Sequence, residues 1–324
     1  MIRQHSRVLI SAALVAAAGW LAPPPAGAQE LPRTADGHPD IQGVWVNFDR
    51  TPLEVPSDED PGRIAALRQW FPGLEVTAEG LRGLTGPNPG GLASFLGEGD
   101  GEGHSSKRSA LRRSLVVDPP SGRVPVLPEA EQQKQLNLIH LTDSYTYHTP
   151  WERCITRGVP GGMFPAGYNN SYRILQTADH VVILYEMIHE PRIIPLGEGP
   201  HVAASIRLWN GDSRGRWEGD TLVVEVANYR AQQVGTIATS ITSTATLKSI
   251  PQGAGMRVVE RFTPVEPGRL RYDVTVEDPE VYAAPWTVSM PLHRDDEYDM
   301  YEYACHEGNY GLANSLSGAR AKGE

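Results

Sequence analysis

Arg216-Trp217-Glu218-Gly219-Asp220-Thr221-Leu222-Val223-Val224-Glu225-Val226 reads as two strands joined by a two-residue turn. Gly-Asp supplies the turn, and the β-branched and aromatic residues around it favour a pleated surface. The same pattern recurs on both sides. Upstream, Tyr172–Gln176 and His180–Glu186 flank a Thr-Ala-Asp turn. Downstream lie Arg257–Thr263, Leu270–Glu277, Trp286–Leu292 and Tyr298–Cys305. In Leu270–Glu277, Leu270, Tyr272, Val274 and Val276 alternate with Arg271, Asp273, Thr275 and Glu277. That is a period of two, with one face buried and one wet. Sequential short strands with tight turns predict a mainly β, antiparallel meander: a lipocalin-like barrel, or alternatively a β-sandwich. Gly43-Val44-Trp45, within a first strand at Ile41–Val46, tilts the choice to the barrel.

The remaining chain divides around this domain. Residues 1–28 read as a signal peptide: Arg3 and Arg7 precede an apolar run from Val8 to Leu21, then Ala26-Gly27-Ala28. Residues 29–150 read as an N-terminal extension holding the first strand, a long Gly- and Pro-rich loop (72–106), and two short helices at Arg63–Phe71 and Glu129–His140. Residues 151–324 form the β domain. No other long apolar stretch follows the leader, so no membrane span is expected and the protein should be periplasmic or secreted. The net charge of −10 becomes −12 when Arg3 and Arg7 leave with the leader. Such an acidic chain is poorly suited to nucleic acid, which requires a clustered basic face. Lys107, Arg108, Arg112 and Arg113 follow an acidic run and read as mutually solvated charges.

Three motifs carry a resemblance: Pro150-Trp151-Glu152-Arg153-Cys154, Arg214 to Val224, and Tyr301-Glu302-Tyr303-Ala304-Cys305-His306-Glu307-Gly308-Asn309-Tyr310. Over nearly the whole chain after the leader, the protein resembles a large family of exported bacterial proteins of unassigned function. The resemblance implies compartment and architecture, and no chemistry.

Chemistry has to come from the residues themselves. The two cysteines, Cys154 and Cys305, read first as a disulfide in an oxidising compartment, with buried thiols or a metal thiolate as alternatives. His306, with Glu302 and Glu307 beside it, is the candidate catalytic centre, since an imidazole titrates near neutrality and a carboxylate can orient it. A strand over 298–305 would place Glu302 and His306 on one face. His189 and Glu190 end an apolar strand, and with His201 and His306 they could supply ligands to a divalent metal. Arg192 and Arg207 are candidate anion holders, and Trp217 and Trp286 candidate walls for a ligand pocket. Gly-x-Ser-x-Gly, phosphate-loop and dinucleotide motifs do not occur, which disfavours a serine hydrolase and nucleotide cofactors. The expected function is an exported enzyme acting on a small organic molecule by general acid/base chemistry (lyase, isomerase or hydrolase) in a barrel mouth. The alternative is a non-catalytic periplasmic binding protein for a hydrophobic or glycan ligand.

Overall fold

The computed structural model describes residues 30–47, 51, 53–55, 112–165, 169–237 and 247–323. The signal peptide, the helix expected at 63–71 and the long loop at 72–106 lie outside these residues. The described chain is an antiparallel β structure with two α-helices, as the alternation at Leu270–Glu277 required.

Ten strands make one sheet: β1 (Gly43–Val46), β2 (Val116–Asp118), β3 (Ser171–Gln176), β4 (His180–Tyr185), β5 (Pro191–Pro195), β6 (Asp212–Glu218), β7 (Thr221–Ala227), β8 (Arg257–Glu266), β9 (Arg269–Glu277) and β10 (Trp286–Arg294). Nine of them follow the path β5-β4-β3-β1-β10-β9-β8-β7-β6, and β2 pairs with β10 off that path. The path curls until its ends meet. Leu196 and Gly215 form a parallel bridge, and the Gly197 amide donates to the Gly215 carbonyl at 2.9 Å. A Cβ at Gly215 would stand 2.8 Å from the Leu196 side chain and 2.9 Å from that of Ile194, so glycine leaves room for those side chains where β5 and β6 approach. The hairpin that opens the sequence reading forms as expected, with Glu218 opposite Thr221 and Gly219 at φ 59° in the turn.

The lumen is filled. Tyr172, Ile183, Val224, Phe262, Tyr272, Val274 and Trp286 are buried there within one apolar cluster. Among them sits one ion pair: Arg192 on β5 donates to Glu260 on β8 at 3.0 Å, and Glu260 also accepts from the Tyr272 hydroxyl at 2.7 Å. Burial works against the Arg192 charge, and the Glu260 carboxylate more than offsets it, holding the guanidinium charged well above its ordinary range.

The two barrel ends differ. One carries tight connections at 177–179, 219–220 and 267–268. The other receives the long connections and is plugged by the segment 158–164. Tyr229 donates to the Val159 carbonyl at 3.0 Å and Tyr172 to the Met163 carbonyl at 3.0 Å, with Val159, Met163 and Phe164 buried. Helix α1 (Pro128–Ile139) packs at this plugged end, where Asn137 donates to the Gln233 and Ser249 carbonyls at 2.8 Å. Helix α2 (Gly311–Lys322) closes the described chain, and its residues are mostly exposed. No helix among the described residues is long and apolar enough to cross a membrane.

The segment 298–305 is not a strand, contrary to its tyrosine-rich composition. Its backbone bonds are local turns, such as Glu307 N–H to the Ala304 carbonyl at 2.9 Å. Both edges of the neighbouring β10 are already taken, by β9 on one side and by β1 and β2 on the other. With no edge to join, β propensity has nothing to act on.

Candidate functional site

Outside the plug, on the rim, three pieces of chain border a shallow, open cleft of about 520 Å³. One wall is Cys154 and Ile155. A second is the turn from β4 to β5, Ile188 to Pro191. The third is the C-terminal segment Tyr303 to Glu307. The Cys154–Cys305 disulfide, with Cα atoms 5.6 Å apart, joins the first wall to the third.

Glu186 sets the other two walls relative to each other. It is fully buried at the end of β4. Its carboxylate accepts from Ser171 Oγ at 2.6 Å, Asn169 Nδ2 at 3.0 Å, the Tyr298 hydroxyl at 3.1 Å and the Tyr301 backbone N–H at 3.2 Å. The tail is therefore hung from the residue that begins the β4–β5 turn. In that turn Ile188 and His189 take φ of 68° and 56°, and Cys154 across the cleft takes 54°. A β-branched residue in the left-handed region costs on the order of 1–3 kcal/mol and persists only where its surroundings impose it. Three of the six described non-glycine residues with positive φ line this one cleft.

Glu190 is a cleft carboxyl whose acidity the fold alters. It is half-buried and lines the cleft. Its carboxyl accepts from Thr156 Oγ1 at 2.6 Å and from Asn210 Nδ2 at 2.7 Å. Burial raises its pKa above the ordinary glutamate range, and the two hydrogen bonds and Arg192 pull back only part of the shift. It shares the cleft with His189, His306 and Glu307, all exposed. A carboxyl shifted toward its protonated form, in one cleft with imidazoles and a second carboxylate, offers the groups that acid/base chemistry uses.

The sequence candidates divide accordingly. His306, Glu307 and His189 come together at the cleft. Glu302 does not line it and is exposed, because without a strand it no longer shares a face with His306. His201 is held elsewhere, its Nδ1 2.8 Å from Asp212 Oδ2, so the set His189, His201 and His306 does not converge. Among the described residues no group of three or more His, Cys, Asp or Glu side chains could hold a metal ion. Arg192 is committed to Glu260 in the lumen, where a substrate has no access. Arg207 is exposed and donates to the Ala254 carbonyl at 2.8 Å. Trp286 is core, against Phe164 and Tyr282. Trp217 is covered by His38, stacked at 4.9 Å. Glu190 lines the cleft, and Thr156, Asn210 and Glu186 support it from behind. Their signal in the sequence is faint, because Thr156 and Asn210 stand 34 and 20 residues from Glu190.

Compared with family models, curated proteins and solved structures, the chain matches none.

Proposed function

We propose that this chain is an exported enzyme, of the bacterial family its motifs resemble, acting on a small organic molecule by general acid/base chemistry. The reaction class is a lyase, isomerase or hydrolase, and the site is the rim cleft, not the filled lumen. Glu190 carries the reading: its carboxyl is fixed by Thr156 and Asn210 and is shifted by burial toward keeping its proton. In this role Glu190 is the general acid. His306 or His189 is the base, and Glu307 balances the imidazolium that forms. The strained turn at Ile188 and His189 fits a site whose geometry is imposed by its supports.

A second reading, a non-catalytic periplasmic binding protein for a hydrophobic or glycan ligand, draws on the apolar part of the same cleft, formed by Ile155, Ile188, Pro191 and Ala304. The experiment that separates the two is a turnover panel of esters, lactones, hydroxy acids and their dehydrated or isomerised partners. It is run on the wild type, Glu190→Gln and His306→Ala. Turnover by the wild type that both variants lose, with unchanged circular dichroism, supports the enzyme. A wild type that turns over no probe but binds apolar or glycan ligands in the cleft overturns it.

A further inference from the structure

Beside the cleft, two arginines share one indole. The Arg153 guanidinium carbon lies 5.8 Å from the centre of the Trp209 ring and 5.2 Å from that of Tyr145. The Arg230 guanidinium carbon lies 5.1 Å from the same Trp209 ring. Several other arginines of this acidic chain sit on carboxylates, among them Arg33 on Asp220, Arg216 on Glu218 and Glu225, Arg271 on Asp273 and Arg294 on Asp296. Among the described residues, Arg153 and Arg230 have no carboxylate partner and no acceptor for their side-chain N–H groups. Holding two cations close costs Coulomb energy, which the aromatic faces offset in part. Burial, with the charge of Arg230 adding to it, lowers the Arg153 pKa against the opposing pull of Tyr145.

A cation–π contact engages no N–H acceptor of its own, so the N–H groups of both guanidiniums remain available to fork onto the paired oxygens of an oxyanion. We infer that Arg153 and Arg230, set on Trp209 and Tyr145, form a subsite for the carboxylate or phosphate group of a small organic anion. The chain ties this subsite to the cleft at two points. Arg153 precedes Cys154 in the cleft wall, and Trp209 precedes Asn210, which holds Glu190. Each is one Cα step of about 3.8 Å. Anion binding stands on the arginines alone. That the anion belongs to the substrate rests on the acid/base reading of the cleft, and the substrate class is then an organic acid or phosphate ester.

The test is titration of the full chain, at low salt, with benzoate, inorganic phosphate and the neutral isostere benzamide. Saturation transfer follows the organic probes and phosphorus line width follows phosphate. Benzoate or phosphate should bind and benzamide should not. Arg153→Gln and Arg230→Gln should each weaken the anion by about tenfold or more, the scale of a charged hydrogen bond. Arg230 is exposed, so its variant should fold even if the Arg153 variant does not. Benzoate binding alone narrows the class to carboxylates, and phosphate alone to phosphate esters; either supports the subsite. Equal binding of benzamide and benzoate overturns it, as does no anion binding by the wild type at millimolar concentrations or an affinity unchanged in Arg230→Gln. Anion binding by a wild type that turns over no probe would leave the subsite standing while the acid/base reading falls, and turnover without anion binding would do the reverse.

Discussion

Replacing both cysteines by serine opens a closed loop whose ends are 151 residues apart. Chain-entropy scaling puts the stabilisation from such a bond at about 5 kcal/mol at 25 °C, most of it from restricting the unfolded chain. The native barrel should survive, because neither cysteine lies in a strand and the tail keeps its anchors at Tyr298 and Tyr301 on Glu186. The expected result is therefore a large fall in stability with unchanged far-ultraviolet circular dichroism. Urea unfolding of the oxidised wild type and of Cys154→Ser/Cys305→Ser should differ by about 3–5 kcal/mol, with a steeper denaturant dependence in the variant as its unfolded state expands. Amide exchange should quicken at 303–307 far more than in β8 or β9. A difference under about 1 kcal/mol would refute the loop-closure reasoning. Unchanged exchange at 303–307 would show that the bond does not set that cleft wall.

Glu186→Gln keeps the shape but brings an amide N–H₂ up against the donors of Ser171, Asn169 and Tyr298. A loss of about 2–4 kcal/mol is expected, read by thermal or urea unfolding, with exchange rising first in the tail. Glu260→Ala leaves Arg192 charged and buried without a partner, which should cost about 3–5 kcal/mol; a loss below about 1 kcal/mol would mean that water reaches the lumen. Because the folded pKa of Glu190 is raised, the native state holds a proton that the unfolded state has released. Its contribution to stability is thus present at low pH and is lost as pH rises from the ordinary glutamate range through the folded value. Stability curves of wild type and Glu190→Gln should therefore diverge in favour of the variant as pH climbs through that window and run parallel above it.

What could be read from the chain follows from the range of the forces involved. Alternation at Leu270–Glu277 and the Gly219-Asp220 turn are local signals, and both strands and hairpin form where they indicate. Barrel closure depends on Gly215 meeting Leu196, which no periodicity encodes. Arg192 shares its alternating face with Ile194, a sign that it points inward, yet its partner Glu260 is 68 residues away. The tyrosines at 301 and 303 favour a strand only if an edge is free, and β10 offers none. At the cleft, the polar density of 301–310 located one wall, and His189 another. The buried support was hidden, because Thr156, Asn210 and Glu186 meet their partners only through the fold.

The most direct measurement is the titration of the Glu190 side-chain carboxyl by carbon-13 NMR in the intact protein, assigned with Glu190→Gln. A midpoint above the ordinary glutamate range, rising further in Thr156→Val, is the expected result and gives the cleft its proton donor. A midpoint at or below the ordinary range would contradict acid/base chemistry with Glu190 as the acid.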